Sequence, residues 1–313
     1  MLDFIYNGFV SSSNKNSYSS KFKNLIFGIT RKIVLKFGDP LIPYKLWNYK
    51  ILIPISHNLP VVLNSHKNYN TNLPRVAKYI SSKYNDPYVI DIGANVGDTA
   101  ALLRSYIDFP LMCIEGDKKF FELLIKNTSQ MKNITYVQSY LGTNDESINA
   151  AVQTERGTGT ISNNEGSVLE TKKLDTVLDL NPEFKKAKLL KIDTDGFDFK
   201  IMKGSVGFLK ESKPVIFTEF DQNLMKEIKE DYNDMFEFFR SLDYFYIIFY
   251  DNFGDYLISL NLNETDKIED IISYFDNRNT DKFCDICVFH KDDKDLFETV
   301  RTKEIEFFSK NRN

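Results

Sequence analysis

The stretch Val89-Ile90-Asp91-Ile92-Gly93-Ala94-Asn95-Val96-Gly97-Asp98 decides how the rest of the chain is read. A short β-branched run leads into it, two glycines four apart follow, and Ala100, Leu102, Leu103, Tyr106 and Ile107 continue at helical spacing. Strand, glycine turn and helix in this order form a nucleotide-type site at the carboxyl edge of a parallel sheet. Gly93 can turn sharply and let the backbone approach a ligand where a Cβ would clash. The helix N-terminus behind it offers N–H groups suited to a carboxylate or phosphate. Leu111-Met112-Cys113-Ile114-Glu115 reads as the next strand and ends 18 residues after Gly97 in an acid, which can take both hydroxyls of a ribose. A third strand over 134–141 ends at Gly142, where an adenine edge could lie beside Ser139.

Further on, Leu189-Leu190-Lys191-Ile192-Asp193-Thr194-Asp195-Gly196 and Pro214-Val215-Ile216-Phe217-Thr218-Glu219-Phe220-Asp221 read as a fourth and a fifth strand. Ligands of such sheets bind beyond the carboxyl ends of the strands. Asp193, Asp195, Glu219 and Asp221 gather there, so raised carboxyl pKa values or a bound cation are expected.

Three motifs in this order, Asp91-Ile92-Gly93-Ala94-Asn95-Val96-Gly97-Asp98, Ile114-Glu115-Gly116-Asp117 and Leu190-Lys191-Ile192-Asp193-Thr194-Asp195-Gly196-Phe197-Asp198, resemble the FkbM family of S-adenosylmethionine-dependent methyltransferases. The resemblance covers about residues 73–222. Asp195 stands where the commonest family form has Glu, and Lys173 stands for the threonine of a threonine-leucine-aspartate step before the third motif. The resemblance implies a class I, Rossmann-like α/β fold: a mostly parallel seven-stranded sheet with helices on both faces, closed by an antiparallel pair. It also implies O-methylation, often of a sugar in a surface polysaccharide, a glycolipid or a secondary metabolite. On this reading Asp91, Gly93, Ala94, Asn95, Gly97, Asp98, Glu115, Gly116, Ser139 and Gly142 hold S-adenosylmethionine. Asp91 faces its amino group, the turn and helix start its carboxylate, and Glu115 its ribose.

Methyl transfer to an alcohol needs collinear positioning and a base for the departing proton. Asp193, Asp195, Glu219 and His57 are the candidates. Asp193, Asp195 and Glu219 could instead hold Mg²⁺ or Mn²⁺, which would lower the pKa of the acceptor hydroxyl. Two other classes stay open: a nicotinamide-dependent oxidoreductase, which wants a third glycine where Asp98-Thr99 stand, and a non-catalytic scaffold.

Around these motifs the chain divides into an N-terminal extension (1–72), a methyltransferase domain (73–295) and a helical tail (296–313). Residues 11–20 are poor in apolar side chains and read as a flexible linker. Phe22, Leu25, Ile26, Ile29 and Ile33 then follow a helical stripe amid Lys21, Lys23, Arg31, Lys32 and Lys36. A basic amphipathic helix over 21–36 can lie on an anionic membrane surface, but the favoured expectation is packing on its own domain or on a second subunit. Residues 44–72 contain His57 and read as a cap over the cleft. Residues 144–172 read as a loop or hairpin over it, and Gly157-Thr158-Gly159-Thr160 lacks the Lys-Ser/Thr ending of a phosphate loop.

The 313 residues are 42% hydrophobic, enough to bury a large core, and a net charge of −4 gives no reason to expect nucleic acid. No apolar run reaches the roughly eighteen residues of a membrane span. The cysteines are Cys113, Cys284 and Cys287; the last two lie in an alternating strand over 283–289, whose period sends them to opposite faces. The expectation is a reduced, cytoplasmic enzyme acting on a small-molecule or glycan acceptor, with a homo-oligomer as an open alternative for the N-terminal helix.

Overall fold

The computed structural model describes residues 2–13, 18–155, 158–275 and 283–310. The chain enters through helices α1 (Leu2–Ser13) and α2 (Tyr18–Phe37), a hairpin of β1 (Leu41–Leu46) and β2 (Tyr49–Pro54), and a short helix α3 (Leu59–Ser65). From α4 (Asn72–Ile80) the elements alternate: β3 (Val89–Ile92), α5 (Asp98–Arg104), β4 (Leu111–Glu115), α6 (Lys118–Thr128) and β5 (Ile134–Gln138). The stub β6 (Tyr140–Leu141) and the hairpin β7 (Glu146–Glu155) and β8 (Thr158–Lys172) form a three-stranded sheet of their own. Then come α7 (Leu174–Leu180), β9 (Leu189–Ile192), α8 (Asp198–Lys203), α9 (Val206–Ser212) and β10 (Val215–Phe220). α10 (Gln222–Glu227), α11 (Tyr232–Ser241), β11 (Tyr244–Asp251), β12 (Tyr256–Asn261), α12 (Thr265–Phe275), β13 (Cys284–His290) and α13 (Lys294–Lys310) complete the chain.

The main sheet runs β12-β11-β13-β10-β9-β3-β4-β5. Its five strands from β10 to β5 are parallel, and β13, β11 and β12 add antiparallel pairs. The chain winds outward from β3 through β4 to β5, then returns to β9 on the other side of β3. That reversal leaves a crevice at the carboxyl ends of β3 and β9. The sheet has eight strands where seven were expected, because Tyr256–Asn261 extends the antiparallel end beyond β11. The expected mostly parallel α/β class is the one observed.

Strand alternation builds two cores. Ile90, Ile92, Leu190, Ile192 and Ile216 face α7, α8, α9 and α11; Val89, Leu189, Val215 and Phe217 face α4, α5 and α13. Cys284 belongs to the first core and Cys287 to the second, and both thiols are free and buried. The tail helix α13 is part of the second layer. Leu296, Phe297 and Val300 are buried, and Glu304 takes Arg75 of α4 in a buried fork–fork pair at 2.7 and 2.8 Å. The N-terminal extension has a third core, in which Tyr6, Val10, Ile42, Ile53 and Leu59 pack against Ala101 of α5 and Phe120 and Leu123 of α6.

Several local expectations change. Residues 11–13 are helical, because Tyr6 and Val10 anchor α1 in that third core and Ser12 Oγ donates back to Gly8 O at 2.7 Å; residues 18–20 open α2, and 14–17 lie outside the described residues. The strand expected over 134–141 breaks at Ser139, and α10 and α11 are each started by a cap. Asp221 accepts from Asn223 N and Leu224 N, and Asp231 accepts from Asn233 N. Asp221 is thus a capping residue. Gly157 lies outside the described residues, while Thr158, Gly159 and Thr160 open β8.

Candidate active site

The turn after β3 is held from below. Gly93 has φ +75°, and a Cβ there would sit 1.9 Å from Asp193 O, so the glycine is needed where the loops after β3 and β9 touch. Gly93 N and Ala94 N donate to Ile114 O at 3.0 and 3.1 Å, Gly97 N donates to Ala94 O, and Asn95 N donates to Glu115 Oε2 at 2.8 Å. These turn amides, expected to greet a ligand carboxylate, are spent inside the fold. Ala94 is fully buried, and Gly97 packs against Leu124 and Thr128 of α6.

What faces outward is side chains. An open cleft of about 590 Å³ is walled by Ile92, Gly93, Asn95, Glu115, Gly116, Phe120, Ser139, Tyr140, Asp193, Asp195 and Phe197. Glu115 receives Asn95 N on one oxygen and Asp117 N on the other, both at 2.8 Å, which fixes the carboxylate with lone pairs left to accept from a ligand. Burial raises its pKa, and the two backbone donors pull it back. Tyr140 lies against Gly116, where a Cβ would come within 2.2 Å of the ring. Gly142 is absent from this wall; its carbonyl is packed beneath Gly204.

A second cavity of about 1030 Å³ opens on the other side of the same junction. Gly93, Asn95, Asp193 and Asp195 line both spaces. His57, Tyr69, Asp98 and Glu219 line only the second, so Asp98, expected with the cofactor, sits on its far side.

Between the two spaces lies a buried charge cluster. Asp91 and Lys191 are register partners on β3 and β9, with Lys191 Nζ 2.9 Å from Asp91 Oδ1, 3.1 Å from Gly93 O and 3.5 Å from Asp193 Oδ2. Burial disfavours the ammonium, but Asp91 and Asp193 outweigh it and raise the Lys191 pKa. Asp91, expected at a cofactor amino group, is fully buried beneath the cleft and committed to Lys191. Removing Lys191 by Lys191→Met should therefore strand a buried carboxyl and lower stability by about 3–5 kcal/mol in urea unfolding. An unchanged midpoint would show that Asp91 needs no partner.

Around this pair the carboxyl pKa values are raised. Burial, then the charge of Asp193, pushes Asp195 and Asp198 up to about 7. Asp285 rises to about 8 for the same two reasons. Glu219, the register partner of Asp285, rises well above the usual carboxyl range. Tyr69 is raised by burial and by Asp193, Asp285, Glu219 and Asp98. Among the described residues no three His, Cys, Asp or Glu side chains converge on a metal-binding geometry, so the expected cation on Asp193, Asp195 and Glu219 has no matching ligand set.

His57 is buried, and burial lowers its pKa to about 4. Its Nδ1 accepts from Leu59 N at 3.2 Å, which places the proton of the neutral ring on Nε2. Nε2 has no partner among the described residues and is thus a donor, where a base was one expectation. Lys191, Asp198, Asp285 and Tyr69 went unread as site residues. The signal for Lys191 and Asp285 was a charge in the middle of an apolar strand.

The winding about β3 and the acid-ended β4 beside a glycine turn define a class I methyltransferase fold. Residues 91–246 match the profile of the methyltransferase FkbM domain, and the chain belongs to that family. This overturns the nicotinamide oxidoreductase alternative. Solved structures similar to the chain include an FkbM methyltransferase from Methylobacillus flagellatus KT (13% identity, 77% of this chain and 53% of that one, TM-score 0.37). A precorrin-6y C5,15-methyltransferase from Geobacter metallireducens GS-15 (11%, 69% and 86%, 0.37) and the METTL16 MTase domain (13%, 78% and 74%, 0.43) are also similar. The chain spans about half the length of the first of these. No curated protein matches it.

Proposed function

We propose that the chain is an S-adenosylmethionine-dependent O-methyltransferase acting on a sugar hydroxyl of a surface polysaccharide, a glycolipid or a related metabolite. The observation that carries this reading is the junction of the two cavities at Gly93, Asn95, Asp193 and Asp195. A donor in the first space and an acceptor in the second would meet beside two acids.

The first cleft fits the cofactor by its donor set. Glu115 offers a fixed carboxylate to a diol, Tyr140 and Phe120 offer apolar faces to a flat ring, and the acidic junction suits a cationic centre. S-adenosylmethionine would supply an electrophilic methyl group there. Asp193 takes the acceptor proton: it reaches open space with 48% of its side chain exposed, whereas Glu219, Asp198 and Asp285 are buried, which raises their pKa values. His57 Nε2–H donates to the acceptor and orients it.

The second cavity supports a polyhydroxyl acceptor. It sets a histidine N–H and two asparagines, Asn58 and Asn70, against several acids, and no lysine or arginine among the described residues lines it. Hydroxyls can both donate and accept in such a lining, while a phosphate or uronate would meet like charge.

Calorimetric titration with S-adenosylhomocysteine, with NAD as control, tests the cofactor. Saturable binding of the former is expected, and Glu115→Ala should weaken it by about ten- to a hundredfold, the loss of charge-assisted hydrogen bonds. Binding of neither compound would favour the non-catalytic scaffold.

A further inference from the structure

The two sides of α2 meet different surroundings. Inward, Phe27 packs edge-on against Phe4 with ring centres 5.8 Å apart, and the Arg31 guanidinium lies over the Phe9 ring at 4.9 Å. Arg31 also donates to Ile55 O at 2.7 Å and Asn58 Oδ1 at 3.0 Å. Outward, Phe22, Leu25, Ile26, Ile29 and Ile33 stand in solvent with 64, 59, 45, 50 and 51% of their surface exposed. They recur three or four residues apart and so form one continuous stripe. Single exposed apolar residues need no explanation, but a contiguous stripe of five marks an interaction surface.

The charges beside the stripe name its partner. Lys21, Lys23, Lys32 and Lys36 border it, all exposed, and no acidic residue lies between Asp3 and Asp39. We propose that α2 lies in the plane of an anionic lipid surface, its stripe in the boundary between headgroups and acyl chains and its lysines at the phosphates. Lysine stems can run along the apolar face while their ammonium groups stay at headgroup level. A second copy of the chain fits less well, because pairing two such stripes would bring lysine against lysine with no carboxylate on the helix to meet it. Among the described residues no helix is long and apolar enough to cross a membrane, so the contact is peripheral. The Arg31 bonds tie the docked helix to residues 55–58, which carry His57 on the wall of the second cavity. The inference rests on α2 alone and stands whether or not the methyl acceptor is a sugar.

The test is co-sedimentation of the full chain with phosphatidylglycerol–phosphatidylcholine vesicles and with pure phosphatidylcholine vesicles. Binding to the anionic vesicles, weakened by salt, is expected. The double substitution Lys32→Ser with Lys36→Ser should lower the partition coefficient roughly thirtyfold. Ile29→Glu should abolish binding while thermal unfolding and S-adenosylhomocysteine affinity stay at their original values. Absence of binding to anionic vesicles, or equal binding to both kinds, overturns the proposal. So does a chain that sediments as a dimer and becomes monomeric on Ile29→Glu.

Discussion

Asp193→Asn is expected to lower kcat by about 10²–10⁴-fold, the usual contribution of a positioned base, while S-adenosylhomocysteine binds within about threefold of its original affinity. The substitution keeps the shape of the side chain and an oxygen for Lys191 Nζ, which lies 3.5 Å from the carboxylate. It removes the carboxylate charge and with it the capacity to take a proton at the junction of the two cavities. The contrast between turnover and cofactor affinity separates this outcome from misfolding, which would lower both. Near-original turnover of a methylated acceptor would move the base to Asp195, the other acid that lines both spaces.

The second large effect is on stability against pH. Asp195, Asp198 and Asp285 are pushed up to about 7, 7 and 8 by burial and by the charge of Asp193, above the roughly 3.9 of an unfolded chain. A carboxyl raised on folding stabilises fully below its unfolded pKa, and that contribution is lost as pH rises through the folded value. Keeping the buried Asp198 ionised disfavours the fold by roughly 4 kcal/mol relative to its protonated form. His57 works in the opposite sense. Its pKa falls to about 4, so it withdraws stability as pH drops below about 6.5. The window from about pH 7 to 9 therefore isolates the acids. There the urea midpoint of the ligand-free chain is expected to fall, and Asp285→Asn to flatten the upper part of the slope. A profile that is level or rises over that window would mean that the cluster is already ionised in the fold.

The legible part of this chain was whatever repeats locally. Strand alternation and the Gly93–Gly97 turn gave the parallel sheet, and the three-residue spacing of Cys284 and Cys287 placed the thiols in opposite cores. The polar cluster was not legible, because its members meet only through register. Asp91 meets Lys191 a hundred residues on, and Glu219 meets Asp285 across an antiparallel pair. A lone Lys or Asp inside an apolar strand says that a partner exists without saying where. The same limit explains the turn after β3. Its glycines were visible as a ligand-approach motif, yet Gly93 is required by a neighbouring backbone, and Ala94 and Gly97 serve the inside of the fold. The N-terminal serines read as a linker because their composition hides Tyr6 and Val10, the two side chains that dock the first helix.

The contact between Gly93 and Asp193 O limits how such an enzyme can diversify. With no room even for a methyl group between the two loops, the reacting edge cannot drift by small steps. The opposite wall around His57 and Tyr69 belongs to the N-terminal extension, which packs on α5 and α6 through a core of its own. New acceptor preferences would then arise by exchange of that outer segment over an invariant floor, so relatives that modify different molecules should differ most in their first seventy or so residues and least where the two loops touch.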